Sequence, residues 1–400
     1  MTARTASILK DNLDLLMISQ GERAWPLGCV DIVNYARCLG WNALAVRIET
    51  AASLWLLQIS PPRIIGLSLD TSQAGAAEDI VREIRQLWPG AKLVFGGRHI
   101  QRETLDEPLM QLADHLVVGA GEYPILDLLM GESDERCLYG KPFEMADYAT
   151  LPMPSERQHK DALGGTAHVM FSRGCPFRCF FCEDSRHSVV RKHPSVAVDY
   201  IRQVVGWSKS RRVFVYDDVL TADKPWLHSF ADRMSTFSDG IELEVFAHAA
   251  TLTEEKLSWL RQAGVVRVNV GAESGDDHVL ATNRKGVTVA KLREIHRLFS
   301  GGGSPQLHCT WLLGLAGDTR DSMRATISLA NEIGTDDNPW FGFAVPYPGT
   351  EFYRSAADYG MIRTDVPYHR WTNEEPVFIP HGLVERDLRE AMSLARSSVF

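Results

Sequence analysis

Short apolar runs alternate with amphipathic stretches along most of the chain. In the first third the runs Leu13–Ile18, Ile64–Leu69, Lys92–Phe95 and Leu116–Val118 read as strands, and Val30–Leu39 reads as a helix. The segment GAAEDIVREIRQLWPG places Ile80, Val81, Ile84, Leu87 and Trp88 on one helical face, and Pro89-Gly90 end it. Gly96-Gly97 follow the third run, and the sequence GAGEYP follows the fourth. Strands and helices in alternation, with glycines after strands, predict a doubly wound, Rossmann-like α/β domain. Its ligand-binding loops gather at the carboxyl ends of the strands.

Residues 133–164 carry no sustained period, are rich in proline and polar residues, and read as a linker between a first domain at 1–132 and a second at 165–350. In the second, alternation resumes. Candidate strands are Ala167–Phe171, Arg212–Tyr216, Ile241–Ala247, Val265–Gly271, Gln306–Gly314 and Trp340–Val345, with helices at Val196–Trp207, Glu254–Gln262, Val289–Phe299 (capped by Thr288) and Ser322–Ile333. Six strand–helix units predict a partial (β/α)6 barrel, with chemistry at the carboxyl ends of its strands. Residues 351–400 form a C-terminal extension whose pattern places no element.

Composition narrows the class. Hydrophobic residues make up 45% and charged residues 23% of the 400, as in a soluble globular protein. The formal net charge of −9 argues against a nucleic-acid partner. Asp11 and Asp14 interrupt any leader-like apolar core. No uncharged stretch approaches the ~20 residues of a membrane span. The expectation is a cytoplasmic protein with no membrane partner.

Seven cysteines are present, an odd number, and three of them crowd into FSRGCPFRCFFCEDSRH at the end of the first barrel strand. That is not a disulfide framework; clustered thiols in a reducing compartment more often hold metal. Cys175, Cys179 and Cys182 have the spacing CxxxCxxC. Three thiolates on a tight loop suit three irons of a 4Fe–4S cubane, leaving one iron open. Zinc, with Cys309 or a histidine as fourth ligand, stays open as an alternative.

This motif, with Phe181 just before the last cysteine, resembles the radical S-adenosylmethionine superfamily. The resemblance implies a 4Fe–4S cluster whose open iron binds the amino and carboxylate groups of S-adenosylmethionine, with reduction releasing a 5′-deoxyadenosyl radical. It also implies a reductase, flavodoxin or ferredoxin as electron donor. Asp217 and Asp218 in VYDDVLT then fall where acceptors for the methionine ammonium are expected, or form a solvated acidic pair. Glu273 and Ser274 in NVGAESGDD resemble the turn near the cofactor ribose. In Arg284-Lys285 a cation is placed to meet the cofactor carboxylate, though a surface pair explains it equally well. WLLGLAGDT, with Ala316 where proline is common, and PYPGTEFY resemble the fifth and sixth strand ends of relatives. His248 and His308, on predicted strands, read as structural.

The order of motifs in residues 1–130 resembles the cobalamin-binding domain that precedes this barrel in one subgroup. The matching pieces are PLG at Pro26–Gly28, IGLSLDT at Ile65–Thr71, FGGRH at Phe95–His99 and VVGAGE at Val117–Glu122. The resemblance implies Ser68, Thr71 and Glu122 as polar contacts, and Gly96, Gly97 and Gly119 as points of close backbone approach to a corrin. The sequence DxHxxG, whose histidine ligates cobalt in methionine-synthase-type proteins, is absent, and Arg98 stands where proline is common. GAGEYP lacks the third glycine of a dinucleotide fingerprint. The resulting expectation is a cobalamin-dependent radical methyltransferase acting on an unactivated carbon of a small molecule. The alternative is a radical enzyme that rearranges, cyclises, dehydrates or deoxygenates such a substrate without methylating it, with a first domain that keeps the fold but not the cobalamin. A third reading is a non-catalytic iron–sulfur or zinc protein.

Overall fold

The computed structural model describes residues 13–21, 27–57, 59–163, 166–183, 188–237, 240–301, 303, 305–333 and 339–397. Pro26 of the PLG sequence therefore lies outside the described residues. The chain divides into two compact units, residues 1–166 with 367–369, and residues 167–366 with 370–400.

The first unit is a six-stranded sheet, parallel throughout. Its strands are β1 (Leu15–Gln20), β2 (Ala43–Ile48), β3 (Ile64–Ser68), β4 (Lys92–Gly96), β5 (His115–Gly119) and β6 (Cys137–Gly140), in spatial order β2-β1-β3-β4-β5-β6. Its helices are α1 (Leu27–Cys38), α2 (Ala77–Leu87), α3 (Glu122–Met130), α4 (Met145–Thr150) and α5 (Glu156–Leu163). Alternate strand residues serve opposite faces, because successive side chains of a strand point opposite ways. Leu16, Ile18, Ile65, Leu67 and Phe95 join Ile80 and Ile84 of α2 in one core. Leu15, Met17, Ile64, Val94 and Val117 join Val30 and Val33 of α1 and Ile125, Leu128 and Leu129 of α3 in the other. Covered faces of this kind are what a parallel sheet requires. The strand order reverses between β1 and β3, which puts a topological switch point there.

Three features depart from the sequence reading. β1 is displaced two residues toward the carboxyl end of the predicted run. β2, with its small alanines and Arg47, carries no signal strong enough to stand out. The segment 133–164 is not a bare linker: it supplies β6 and helices α4 and α5 to the first unit. A four-residue edge strand with Tyr139 58% exposed has too little alternation to be read from sequence. Residues 367–369 also cluster with this unit, where Tyr368 donates from its hydroxyl to Glu107 Oε1 at 2.6 Å.

The second unit is a partial barrel. β7 (His168–Val169) is followed by a short antiparallel pair, β8 (Ser172–Arg173) and β9 (Val190–Arg191), and then by β10 (Arg212–Val215), β11 (Glu242–Ala247), β12 (Val265–Glu273), β13 (Gln306–Leu313) and β14 (Trp340–Phe343). The parallel order β7-β10-β11-β12-β13-β14 is that of six successive strand–helix units. Between them run α6 (Pro194–Ser208), α7 (Lys224–Ser235), α8 (Glu254–Gln262), α9 (Asp277–Thr282), α10 (Val289–Phe299) and α11 (Arg320–Glu332). Side-chain oxygens start several of them. Asp223 accepts from Trp226 N, Thr253 from Lys256 N, Thr288 from Lys291 N and Thr319 from Ser322 N. Helix α7, in KPWLHSFADRMS, escaped the sequence reading, and the first strand is shorter than predicted.

The extension carries α12 (Glu351–Arg354), α13 (Ala356–Tyr359), an antiparallel pair β15 (Gly360–Ile362) and β16 (Phe378–Pro380), and α14 (Glu385–Ser397). Helix α14 packs on α11, β13 and β14. An Arg320–Asp387 ion pair at 2.8 Å ties α11 to it. Among the described residues no helix is long and apolar enough to cross a membrane.

Candidate active site at the carboxyl end of the barrel

The cysteine loop leaves β7 and is braced from both sides. Asp217, just past β10, is buried and accepts from Phe171 N and Ser172 Oγ, each at 2.6 Å. Those bonds hold the backbone immediately before the cysteines. At the far end Phe180 N donates to Asn283 O at 3.0 Å, and Phe180 O accepts from Phe352 N at 3.1 Å. The Phe180 ring is packed among Phe352, Leu315 and Val279. Asn283 is itself fixed, donating to Val279 O and Ala316 O. Cys179 is buried, and Cys175 and Cys182 are half-buried.

The donor chemistry, three thiols on one anchored loop, fits a cubane, in which each thiolate takes a different iron.

Around the loop stand charged groups that sequence alone did not rank. Lys285 is buried and its Nζ lies 3.1 Å from Glu273 Oε1. Nζ is also 5.9 Å from the ring of Phe181, and its charge acts on Cys179 and Cys182. Burial pulls the Lys285 ammonium down, but Glu273 and the two cysteines outweigh burial and leave it raised. Lys285 is thus an interior cation beside the cysteines, not half of a surface pair. Its neighbour Arg284 is that surface group, with Glu351 as partner at 2.7 and 2.8 Å.

Glu273 adopts φ of +69°, a left-handed conformation that is uncommon for a residue with a side chain. The turn folds its carboxylate back over Gly271, where an added Cβ would lie 2.0 Å from Oε1 and 3.1 Å from Lys285 Nζ. Gly271 is what lets the pair close. Backbone strain of this kind costs about 1–3 kcal/mol and gathers at functional sites. Ser274 acts differently. It is buried, meets Thr326 Oγ1 at 3.2 Å and accepts from Asp276 N, which fixes the turn against α11.

The acidic pair splits likewise. Asp217 faces the backbone, whereas Asp218 is half-buried and its charge reaches Cys175. Burial raises the thiols of Cys175 and Cys179, and Lys285 opposes it. His248 stacks on Phe177 of the cysteine loop at 3.6 Å and 11°. Its Nδ1 accepts from Ala250 N, and burial next to Lys285 pushes it down to about 3, so it is a neutral ring. The sequence offered no signal for that stack.

At the carboxyl edge of the first sheet the predicted residues are gathered too. Ser68 is hydrogen-bonded to the buried thiol of Cys29, which burial pushes up to about 12. Thr71 Oγ1 lies 3.4 Å from Nδ1 of the fully buried His99, and His99 Nε2 lies 3.2 Å from Glu107. Gly97 (φ +96°) and Gly119 (φ +92°) serve the chain itself. A Cβ would meet Leu69 N at 2.6 Å at the first and Gly140 O at 2.7 Å at the second. Gly96 is different: a Cβ there finds only ordinary contact, at 3.9 Å. Glu122 is buried at the start of α3. Gln20, at the end of β1, holds a buried Oε1 with no hydrogen-bond partner among the described residues.

The family model of the radical SAM superfamily matches residues 169–330, the stretch that contains the cysteine loop, Glu273 and Lys285. The chain carries a radical S-adenosylmethionine domain. It is an enzyme, and that domain implies a 4Fe–4S cluster and S-adenosylmethionine as its cofactors. An uncharacterised methyltransferase of Pyrococcus horikoshii is 23% identical over 347 residues, covering 79% of this chain and 74% of the relative. The anaerobic magnesium-protoporphyrin IX monomethyl ester cyclase of Cereibacter sphaeroides is 22% identical over 365 residues, covering 83% of this chain and 58% of the cyclase.

Two solved structures share the fold over nearly the whole chain. The radical S-adenosylmethionine methyltransferase TsrM of Kitasatospora setae, with tryptophan substrate and an analogue of S-adenosylmethionine, matches with TM-score 0.73 and 16% identity over 96% of this chain and 89% of its own. The cobalamin-dependent radical enzyme OxsB, with aqua-cobalamin and S-adenosylmethionine, matches with TM-score 0.72 and 14% identity over 95% of this chain and 66% of its own.

Proposed function

We propose that this enzyme is a cobalamin-dependent radical methyltransferase acting on an unactivated carbon of a small molecule. The observation that carries the reading is the succession of two units. A doubly wound sheet of order β2-β1-β3-β4-β5-β6 precedes a six-stranded barrel. Both TsrM and OxsB, named for methyl transfer or for cobalamin dependence, match over nearly all of it. Methyltransferases recur among the sequence relatives, including a bacteriochlorophyllide d C-8(2)-methyltransferase 24% identical over 326 residues.

Cys175, Cys179 and Cys182 would hold the cluster, which supplies the electron that cleaves S-adenosylmethionine to the adenosyl radical. Lys285 stands where a cation meets a carboxylate, and Glu273 where an acceptor meets hydroxyl or ammonium protons. Asp218 is the second acidic group facing the loop. In the first unit, Gln20 offers an unengaged amide oxygen at the switch point, and Gly96 is not crowded by the chain. These features suit a ligand fringed with amide groups, as a corrin is. The cobalamin would supply the methyl group. An external reductase, flavodoxin or ferredoxin is the electron donor of this reading.

The cyclase among the relatives supports a second reading, in which the same radical closes or rearranges a ring without methylation. Anaerobic reconstitution separates the readings. With dithionite and S-adenosylmethionine, the loaded enzyme is expected to release 5′-deoxyadenosine. A loaded enzyme that releases none refutes both. Hydroxocobalamin retained through desalting, seen by its visible spectrum, supports methyl transfer, and its loss leaves only the second reading.

A further inference from the structure

The barrel interior has two unlike walls. Alternation along the strands sends Val213, Val215 and Val245 to the helices, where they are fully buried. The residues between them, Phe214, Tyr216 and Phe246, face inward and are only half-buried. With His168 of β7 they form one continuous aromatic surface. Ring centroids are 4.7 Å apart for Phe214–Tyr216, 5.5 Å for Phe214–Phe246 and 5.4 Å for His168–Tyr216.

The adjoining strands line the interior differently. Phe246 is level with Asn269, and Asn269 with His308. His308 has a buried Nδ1 with no hydrogen-bond partner among the described residues. Burial and the nearby Arg267 lower its affinity for a proton, against the opposing charge of Glu244. Arg212, Arg267 and Glu244 also belong to the barrel strands. Arg267 and Glu244 both act on His308, and Arg212 donates through Nε to Glu244.

We infer that this interior is the substrate site and that its substrate is a planar aromatic or heteroaromatic molecule. One ring face lies against Phe214, Tyr216 and Phe246, and a polar edge meets His308 and Asn269. Half-buried rings grouped on one wall are what a stacking ligand needs, and each ring pair contributes about 0.5–1.5 kcal/mol beyond area burial. A buried polar atom without a partner is unfavourable until a ligand supplies one. Tyr216 lies two residues before Asp218, so the aromatic wall leads up to the cysteine loop. The inference rests on the radical-enzyme reading for its chemistry, but not for its binding.

The test uses the cluster-reconstituted enzyme and saturation-transfer NMR with five probes: indole, quinoline, naphthalene, cyclohexylmethanol and glucose 6-phosphate. The three aromatic probes are expected to bind, and the other two are not. The double variant F214L/F246L, which keeps apolar volume but removes two rings, should weaken indole at least about tenfold. Its thermal melt, compared with wild type, shows that it folds. His308→Ala should weaken quinoline, whose ring nitrogen accepts a hydrogen bond, more than naphthalene, which has no acceptor. Equal binding of cyclohexylmethanol, preferential binding of glucose 6-phosphate, or indole binding unchanged in a folded F214L/F246L would each overturn the inference. Release of 5′-deoxyadenosine by the wild-type enzyme is read separately, so failure of the radical reading and failure of the aromatic site are told apart.

Discussion

The two parallel sheets present their carboxyl edges in opposite ways. At the first edge, most of the residues that looked ligand-directed are engaged by the chain. Gly97 and Gly119 admit the backbone of adjacent segments, Ser68 serves Cys29, and Thr71 serves His99. At the second edge, a buried ion pair and a strained glutamate stand beside the three cysteines of one loop. Glycine and small polar residues after a strand suit both a ligand and close chain packing. A buried Lys–Glu pair beside cysteines is much harder to account for by packing, because desolvating two charges is unfavourable unless something holds them there. The difference teaches that expensive features mark chemistry more reliably than permissive ones.

The contrast can be broken at several points. Cys179→Ala should reduce 5′-deoxyadenosine to the background of unloaded protein and lower bound iron, while the far-ultraviolet circular dichroism stays that of wild type. Lys285→Met leaves Glu273 buried without its partner and should destabilise the barrel by about 3–5 kcal/mol in urea unfolding. Adding Glu273→Gln to it should restore at least about half of that loss. A double variant no better than the single one would mean that the two groups are not a pair.

At the first edge, Gly119→Ala forces a side chain into φ +92° and against Gly140 O. It should cost about 1–3 kcal/mol in the unfolding of that unit. Gly96→Ala meets only ordinary contacts and should stay within about 0.5 kcal/mol of wild type. If retention of hydroxocobalamin nevertheless falls in Gly96→Ala, the edge has a ligand-facing position after all and the contrast sharpens.

A small effect is expected at Asp114. Partial burial raises its carboxyl, but the hydrogen bonds from Leu93 N and Arg85 outweigh burial and hold it below its ordinary value. A depressed carboxylate stabilises the fold above its unfolded value and loses that contribution as pH falls. Asp114→Ala should therefore destabilise the fold slightly near neutrality, by the few tenths to about 1 kcal/mol of a screened pair, as read in urea unfolding. The gap to wild type should close as pH drops below about 4.

How much was legible depended on how local each signal was. Helices Glu254–Gln262 and Val289–Phe299 were read to the residue, because amphipathic spacing and a capping threonine are written within a dozen positions. Strand β6 was not, because its four residues become a strand only by pairing with β5. The cysteine loop was legible because its thiols lie within eight positions. The separate roles of Asp217 and Asp218 were not, since adjacent residues on one strand end point to opposite sides.

The alternation of strands and helices, the glycine turns and the CxxxCxxC loop were readable along the chain, because each depends on near neighbours. Which candidates face the thiols came from folding. It brought Lys285 to Glu273 across twelve residues, laid His248 on Phe177 across seventy-one, and turned Phe214, Tyr216 and Phe246 into a single wall. Those juxtapositions arise from parallel strands meeting at one end of a barrel, and no stretch of sequence contains them.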